Sequence, residues 1–303
     1  MTLTNDKPPI PLSGTQDEPR WLHFNQPTAA EITYLEETLG VPADYVRHSL
    51  DIGERARIKR DNGLILIVLR VPYFQGNIAV VPFVTIPLGI VLTGELVITI
   101  CQVETDVIRE MSHDPAHSRE HFLLQLLMMA TTTYLRYLEQ INRLIDEVEE
   151  RLKVSTRNKE VLELLKYQKC LVYFTTALKA NELMMERLQK SDWLVLDEVD
   201  TLLLEDVFIE QHQAVEVATV SENLLGQTMD AFASIIANNL NVVMEFLAAV
   251  TIILALPMLV SSFYGMNVAL PFQHSPWAFL FTVALSLLIC LVVAMTFIRR
   301  RWL

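Results

Sequence analysis

Hydrophobic positions change their spacing along this chain, and each change marks a new element. Residues 20–115 read as a small α/β domain. Trp21–Gln26 is a first candidate strand. Thr28-Ala-Ala-Glu31 has capping-box spacing and opens a helix towards Leu39, stopped by Gly40. Pro42–Leu50 gives a second short helix, with Pro42 acceptable in a first turn. Val/Ile-rich stretches then predict strands at Glu54–Arg60, Leu64–Pro72, Ile78–Ile86, Leu88–Leu92 and Glu95–Cys101. Asp61-Asn62-Gly63 and Thr93-Gly94 supply hairpin turns. Val103–Ser112 returns to helix. Mixed strands and helices of this kind predict a sheet with helices against it.

The period then lengthens. Arg119–Val154 carries Leu123, Leu127, Ala130, Tyr134, Leu138, Ile141, Ile145, Val148 and Leu152 at helical steps. After a polar break at Ser155–Asn158, Lys159–Lys190 repeats the pattern more loosely through Val161, Leu165, Cys170, Leu171, Phe174, Leu178, Leu183 and Leu188. From Asp197 it continues through Leu203, Val207, Ile209, Val215 and Ala218. No proline lies between Pro115 and Pro257. The last helix is therefore expected to run on without a break for ~55–65 residues, ~80–100 Å at about 1.5 Å per residue.

Two apolar runs follow, Phe246–Met266 and Trp277–Ile298, of 21 and 22 residues without Asp, Glu, Lys, Arg or His. About 20 such residues span a bilayer core of ~30 Å. They predict a membrane hairpin. Arg299-Arg300-Arg301 follows the second span, while Tyr264–Pro276 between the spans has no Lys or Arg. Positive residues stay on the cytoplasmic side, which puts the tail and the N-terminal domain inside and the loop outside. Trp302 suits an interfacial anchor. The domain plan is a disordered lead at 1–19, a cytosolic α/β domain at 20–115, and long helices and stalk at 116–240. A first transmembrane helix occupies 241–266, an outer loop 267–276, a second transmembrane helix 277–298 and a basic cytosolic tail 299–303. The fold class is an α+β membrane protein of the cell membrane with both termini cytoplasmic.

Composition refines this picture. The first twenty residues are polar and Pro-rich, with no apolar core of a secretory signal. The net charge of −12 argues against nucleic acid. Its distribution says more: Ser191–Ile298 has no Lys or Arg in 108 residues. Over Ser191–Glu245 there are eleven carboxylates, including Asp206 and Asp230. Cys101, Cys170 and Cys290 show no metal spacing and no disulfide framework. No paired acid and base, nucleophile or nucleotide loop marks an enzyme. His113, His117 and His121 have i, i+4 spacing, but Pro115 interrupts it, and the segment reads as a helix entry.

Chemistry concentrates in the first span. Asn241, Met244, Ala248, Thr251, Ala255, Met258 and Ser262 follow at steps of three and four and form one stripe, bordered by Leu247. Phe246, Ile252, Ile253, Leu254, Leu256 and Leu259 lie off it and face lipid or the second span. Small residues permit close helix packing in a membrane. Alternatively, the stripe lines a narrow aqueous pore made by several copies, with Asn241 and Thr251 offering oxygen and Met244 and Met258 forming apolar constrictions. Carboxylates upstream would concentrate cations at the inner mouth, with Asp230 a candidate acidic ring. Pro257 is expected to kink the span mildly or free a carbonyl. The span ends in Tyr264-Gly265-Met266-Asn267, and an oxygen ring there suits a hydrated Mg²⁺, which sheds water reluctantly.

Taken together, these features resemble the CorA family of magnesium channels and transporters over essentially the whole chain. Tyr264, Gly265, Met266 and Asn267 match its signature, and the basic tail ending in Trp302-Leu303 fits. The resemblance implies a homopentameric channel with the first span around the pore. It implies an entrance ring at Asn267, an inner polar ring at Asn241, apolar gates at Met244 and Leu247, and an acidic constriction at Asp230. Asp206 falls on a stalk carboxylate that helps bind a regulatory Mg²⁺ in some members. Passive Mg²⁺ influx, with Co²⁺ or Ni²⁺ as further cargo, is the expected function. The alternatives are a related Zn²⁺ exporter, which Met266 disfavours, and a non-conducting membrane sensor. Departures are Ala255 in place of a larger gate residue, and a loop Val268–Pro276 without acid, where Gln273 and His274 stand in. Arg47 or His48 stands where the regulatory partner carboxylate is expected, with Asp44 and Asp51 nearby.

Overall fold

The structure, a computed structural model, describes residues 21–94, 96–111, 118–154, 158–268, 270–271 and 275–300. The lead at 1–19, Glu95, His113, Pro115, His117, Gln273, His274 and the tail Arg301-Trp302-Leu303 lie outside the described residues. Two compact units are separated within the last long helix, after Gln227.

The first unit holds a five-stranded sheet: β1 (Trp21–Asn25), β2 (Arg57–Asp61), β3 (Leu64–Phe74), β4 (Phe83–Thr93) and β5 (Leu96–Cys101). Their order is β1-β5-β4-β3-β2, with β1 parallel to β5 and the other pairs antiparallel. Asp61 pairs with Leu64, so Asn62-Gly63 is a two-residue loop, and both have positive φ (49° and 82°). That geometry explains the Asn-Gly pair.

One strand stands where two were expected. β4 continues through Pro87, which lies beyond the last β4–β5 pair, Leu88 with Cys101. Opposite it, Arg70 turns both peptide groups to Asn181. Its N–H donates to Asn181 Oδ1 at 2.9 Å, and its carbonyl accepts from Asn181 Nδ2 at 2.7 Å and from Tyr134 at 3.1 Å. The missing proline N–H therefore strands no acceptor. The strand also starts later than expected. Ile78 and Val80 are exposed in the loop before it.

Alternation along the strands sorts the core into two layers. Ile65, Ile67, Leu69 and Val71 of β3, with Ile86, Leu88, Ile90 and Leu92 of β4, face the long helices. Leu66, Val68, Val91, Ile98 and Ile100 face the other way, against Leu35, Val41, Tyr45 and Val46. Those last residues belong to the segment around α1 (Ala29–Thr33) and α2 (Ala43–Leu50). The capping box at Thr28 is formed: Glu31 N donates to Thr28 Oγ1 at 3.3 Å, and Thr28 N donates to Glu31 at 2.7 Å. The α1 helix runs into a π turn, Tyr34–Thr38, which leaves Leu35 fully buried. Where α2 crosses the sheet there is no room for a side chain on Gly89: a Cβ there would lie 1.7 Å from Ser49 Oγ and 2.3 Å from Ser49 Cβ.

The expected helix at Val103–Ser112 is reduced to α3 (Asp106–Arg109), capped by Thr105. Beyond it lie α4 (Arg119–Val154), α5 (Asn158–Gln189) and α6 (Glu198–Tyr264). All nine apolar positions singled out along α4, from Leu123 to Leu152, are buried. On α5, Leu183 faces out and Met184 and Met185 take the inward place. Within the first unit, α6 buries Leu204, Val207, Gln211, Ala214, Ala218, Ser221 and Leu225, a repeat of three and four. Ile209 falls off that repeat and is exposed. Gln211 is satisfied inside the bundle, giving its Nε2 to Leu178 O at 2.8 Å and accepting from Thr131 at 2.9 Å.

The close crossing at Gly89 generates a test. Gly89→Ala is expected to lower stability by about 1–3 kcal/mol through overpacking. A second change, Ser49→Gly, is expected to return part of that loss in thermal unfolding.

Candidate ion pathway

The second unit contains the rest of α6 and α7 (Ala278–Arg299). Both helices are long and apolar enough to cross a membrane. Their mutual face is regular. From Asn241 onward the covered or half-covered positions on α6 are Ala249, Val250, Ile253, Leu256, Val260 and Tyr264. On α7 a ridge of small residues at four-residue steps, Ala278, Thr282, Ser286, Cys290 and Ala294, is half-covered. Small residues let helix backbones approach closely in an apolar medium. This ridge had no part in the reading of the sequence, which looked for small residues on α6 alone. It is visible in the sequence once α7 is set on a step of four.

The stripe on α6 lies elsewhere. Asn241, Met244, Leu247, Ala248, Thr251, Ala255, Met258 and Ser262 are all exposed. At 3.6 residues per turn, their mean direction is roughly 180° from the face that meets α7. The small residues of the stripe therefore do not serve packing between the two spans of one chain. Of the residues expected off the stripe, Ile253 and Leu256 face α7, while Phe246, Ile252, Leu254 and Leu259 are exposed. Thr251 gives its hydroxyl hydrogen to Leu247 O at 2.7 Å, which leaves the oxygen to accept. Ser261, just off the stripe, donates to Met258 O at 3.0 Å. Asp230 and Asn241 lie on the same helix, and both are exposed.

Tyr264-Gly265-Met266-Asn267 closes the helix. Gly265 N donates to Ser261 O at 2.9 Å, and Met266 N to Phe263 O at 3.2 Å. Tyr264 reaches Pro271 O at 3.4 Å and ties the start of the connection to the helix end. Asn267 follows in the turn, exposed, so its carboxamide is available to a ligand or a second chain. At Gly265 a Cβ would meet Ser261 O at 3.4 Å and Ser262 O at 3.6 Å, ordinary contacts. Nothing in these contacts within one chain demands glycine there.

The other sequence candidates are placed as follows. Asp206 is exposed on the outward face of α6 in the first unit. On α2, Asp44 is held by Lys59 Nζ at 2.6 Å, and that hydrogen bond lowers its pKa. His48 pairs with Glu54 at 2.8 Å, Asp51 accepts from Gly53 N at 2.9 Å, and Arg47 is exposed. His121 binds the buried Asp200 at 2.7 Å, joining the starts of α4 and α6, with Ser118 donating to the same carboxylate at 3.4 Å. That pair, 79 residues apart, carried no local signal in the sequence. Among the described residues no group of three His, Cys, Asp or Glu side chains is placed to hold a metal within one chain. Burial pushes the thiol of Cys101 up to about 12 and that of Cys170 to about 11, so both stay protonated.

The profile of the CorA-like Mg²⁺ transporter proteins matches residues 16–300. The chain belongs to this family. It is 26 % identical over 294 residues to the cobalt/magnesium transport protein CorA of Methanocaldococcus jannaschii, covering 93 % of this chain and 90 % of that protein. The complete structure of that CorA magnesium transporter aligns with a TM-score of 0.85 at 24 % identity, over 95 % of this chain and 93 % of that one. The full-length CmaX protein shares the fold more loosely, with a TM-score of 0.69 at 16 % identity over 90 % and 88 %. So does the cytoplasmic domain of ZntB from Vibrio parahaemolyticus, at 0.57 and 16 % over 73 % and 87 %. The CorA-like architecture is thus an N-terminal α/β domain, long helices and two apolar C-terminal helices. Its family is one of transporters.

The two faces of α6 generate a second test. Ala249→Leu crowds α7 and is expected to destabilise the purified chain in detergent by about 1–3 kcal/mol. Ala255→Leu, on the uncovered stripe, is expected to leave the packing of α6 on α7 unchanged, as read by thermal unfolding of dissociated single chains.

Proposed function

We propose that this chain is a Mg²⁺ channel of the CorA type, a homopentamer in the cell membrane in which the α6 stripe of each copy faces a shared axis. The observation that carries this reading is the stripe itself. Seven positions that are small, polar or thioether-bearing lie opposite α7, uncovered, and lead to an open Asn267. An apolar helix with lipid all round has no use for a polar stripe. An axis shared between copies has. Asn267 forms the outer oxygen ring with Tyr264, Gly265 and Met266. Asn241 and Thr251 offer oxygen along the path, Met244, Leu247 and Met258 narrow it, and Ala248, Ala255 and Ser262 leave room. Asp230 and the carboxylates before it raise cation concentration at the inner mouth.

The remaining details follow from that reading. The spans are 241–266 and 277–298, the connection at 267–276 is outside, and both termini are cytoplasmic, in keeping with the basic tail. Passive influx is driven by membrane potential, about 2.3 kcal/mol per unit charge per 100 mV and twice that for a divalent ion. Co²⁺, named with magnesium for the Methanocaldococcus relative, is a further cargo by the same oxygen chemistry, as is Ni²⁺. Mg²⁺ is cargo first. A regulatory ion at Asp206 would need ligands from a second copy or water, since Asp44 is already committed to Lys59 and Glu54 to His48. Asp206 is exposed and so open to such an arrangement. The Zn²⁺-export alternative draws only on the loose likeness to the ZntB domain, which shows the fold alone.

Purified protein in liposomes with a Mg²⁺-sensitive dye inside tests the reading. Mg²⁺ entry that grows with inside-negative potential is expected, and Asn267→Ala is expected to cut the initial rate by about tenfold, the worth of one to two hydrogen bonds per copy. Zn²⁺ flux with a pH gradient and no Mg²⁺ entry would replace this function with the Zn²⁺ exporter. No flux of either ion would leave the non-conducting sensor.

A further inference from the structure

Pro257 sits inside α6, within the span, and has no N–H to give. The acceptor it deserts is the carbonyl four residues earlier, that of Ile253. In an apolar medium such a group must find another donor, because no water can take its place. The donor comes from the other helix: Cys290 Sγ of α7 lies 3.6 Å from Ile253 O. The neighbouring polar side chains of α7 behave differently. Thr282, Ser286 and Thr296 give their hydroxyls to carbonyls of their own helix, at 2.9, 2.8 and 2.8 Å. Cys290 reaches across. It stands on the small-residue ridge at the level where α6 has lost a rung, and Ile253 lies on the α6 face turned to it.

We propose that Cys290 is a positioning residue for the α6 helix: its thiol supplies the hydrogen bond that Pro257 withdraws from Ile253, and so pins the proline hinge of α6 to α7. The consequence for conduction rests on the reading of α6 as the pore helix. Ala255 and Met258 flank the hinge on the opposite face, so the hinge angle sets how far they project towards the axis. A thiol suits the place. It is small enough for a close ridge and a weak donor, and a weak bond holds a hinge without freezing it. Serine at 290 keeps a donor, whereas alanine removes it.

Two arms test this on the full-length chain. The first is infrared spectroscopy of the S–H stretch, with the Cys290 band isolated by subtracting the spectrum of Cys290→Ser. A band shifted below the free-thiol position, and moved back towards it in Pro257→Ala, is expected. A free-thiol band in the wild type overturns the contact. The second is a double-mutant cycle on Mg²⁺ flux in liposomes. Cys290→Ala is expected to lower the flux about threefold, the worth of an average interhelical hydrogen bond in a membrane. Cys290→Ser is expected to restore it. Cys290→Ala is expected to have no effect in a Pro257→Ala background, where the substituted residue gives its own N–H to Ile253. Equal effects of Cys290→Ala in both backgrounds, or no rescue by serine, overturn the positioning role. Wild-type protein without Mg²⁺ flux overturns the conduction reading and the role in it, while the infrared arm still decides the contact.

Discussion

One neighbour can cover only one side of a helix, and in the second unit that limit governs everything else. The α7 ridge takes the Ala249–Tyr264 face of α6 and leaves the rest bare. A bilayer serves the bare apolar positions. It does not serve Asn241, Thr251 and Ser262, whose polar atoms lose water on entering hydrocarbon. On the proposed reading, the α6 face that suits neither α7 nor lipid is turned to further copies and an aqueous axis between them.

The first unit meets the same demand by other means. There α6 is amphipathic, with its Leu204–Leu225 repeat buried and most of its carboxylates outside. Several of the polar groups that fall inside are matched by a specific partner. Gln211 bridges Leu178 and Thr131, Asp200 holds His121, and Asn181 takes both peptide groups of Arg70. Proline is tolerated twice by related devices. Pro87 sits where β5 has ended and where Arg70 is served by Asn181. Pro257 sits where Cys290 reaches the deserted carbonyl. In both cases a side chain from a separate helix takes up a backbone group at the level of the proline.

How much was legible follows from the range of each interaction. The α4 register came through because its buried positions repeat at helical spacing over 36 residues. The Thr28 capping box and the Asn62-Gly63 loop came through because their geometry is decided within a few residues. Leu183 and Ile209 were placed inwards wrongly: both are apolar residues one step off a repeat, and only the packed neighbours show which step is inward. Two strands, Ile78–Ile86 and Leu88–Leu92, were expected where β4 runs on through Pro87, at a level where Asn181 and Tyr134 from distant helices serve Arg70. The α6 stripe could be drawn from sequence, but its relation to α7 could not. The Ile253–Cys290 contact joins residues 37 apart and has no periodic trace.

The central claim is that the α6 face opposite α7 is wet and the flanking faces are not. Single cysteines placed along α6 in a Cys290→Ser background, probed with a charged thiol reagent in intact membranes, measure this directly. Substitutions at Ala248, Thr251, Ala255, Met258 and Ser262 should react, and those at Ile252, Leu254 and Leu259 should stay protected. Reactivity that ignores the face, or that favours Ile252, Leu254 and Leu259, would contradict the account.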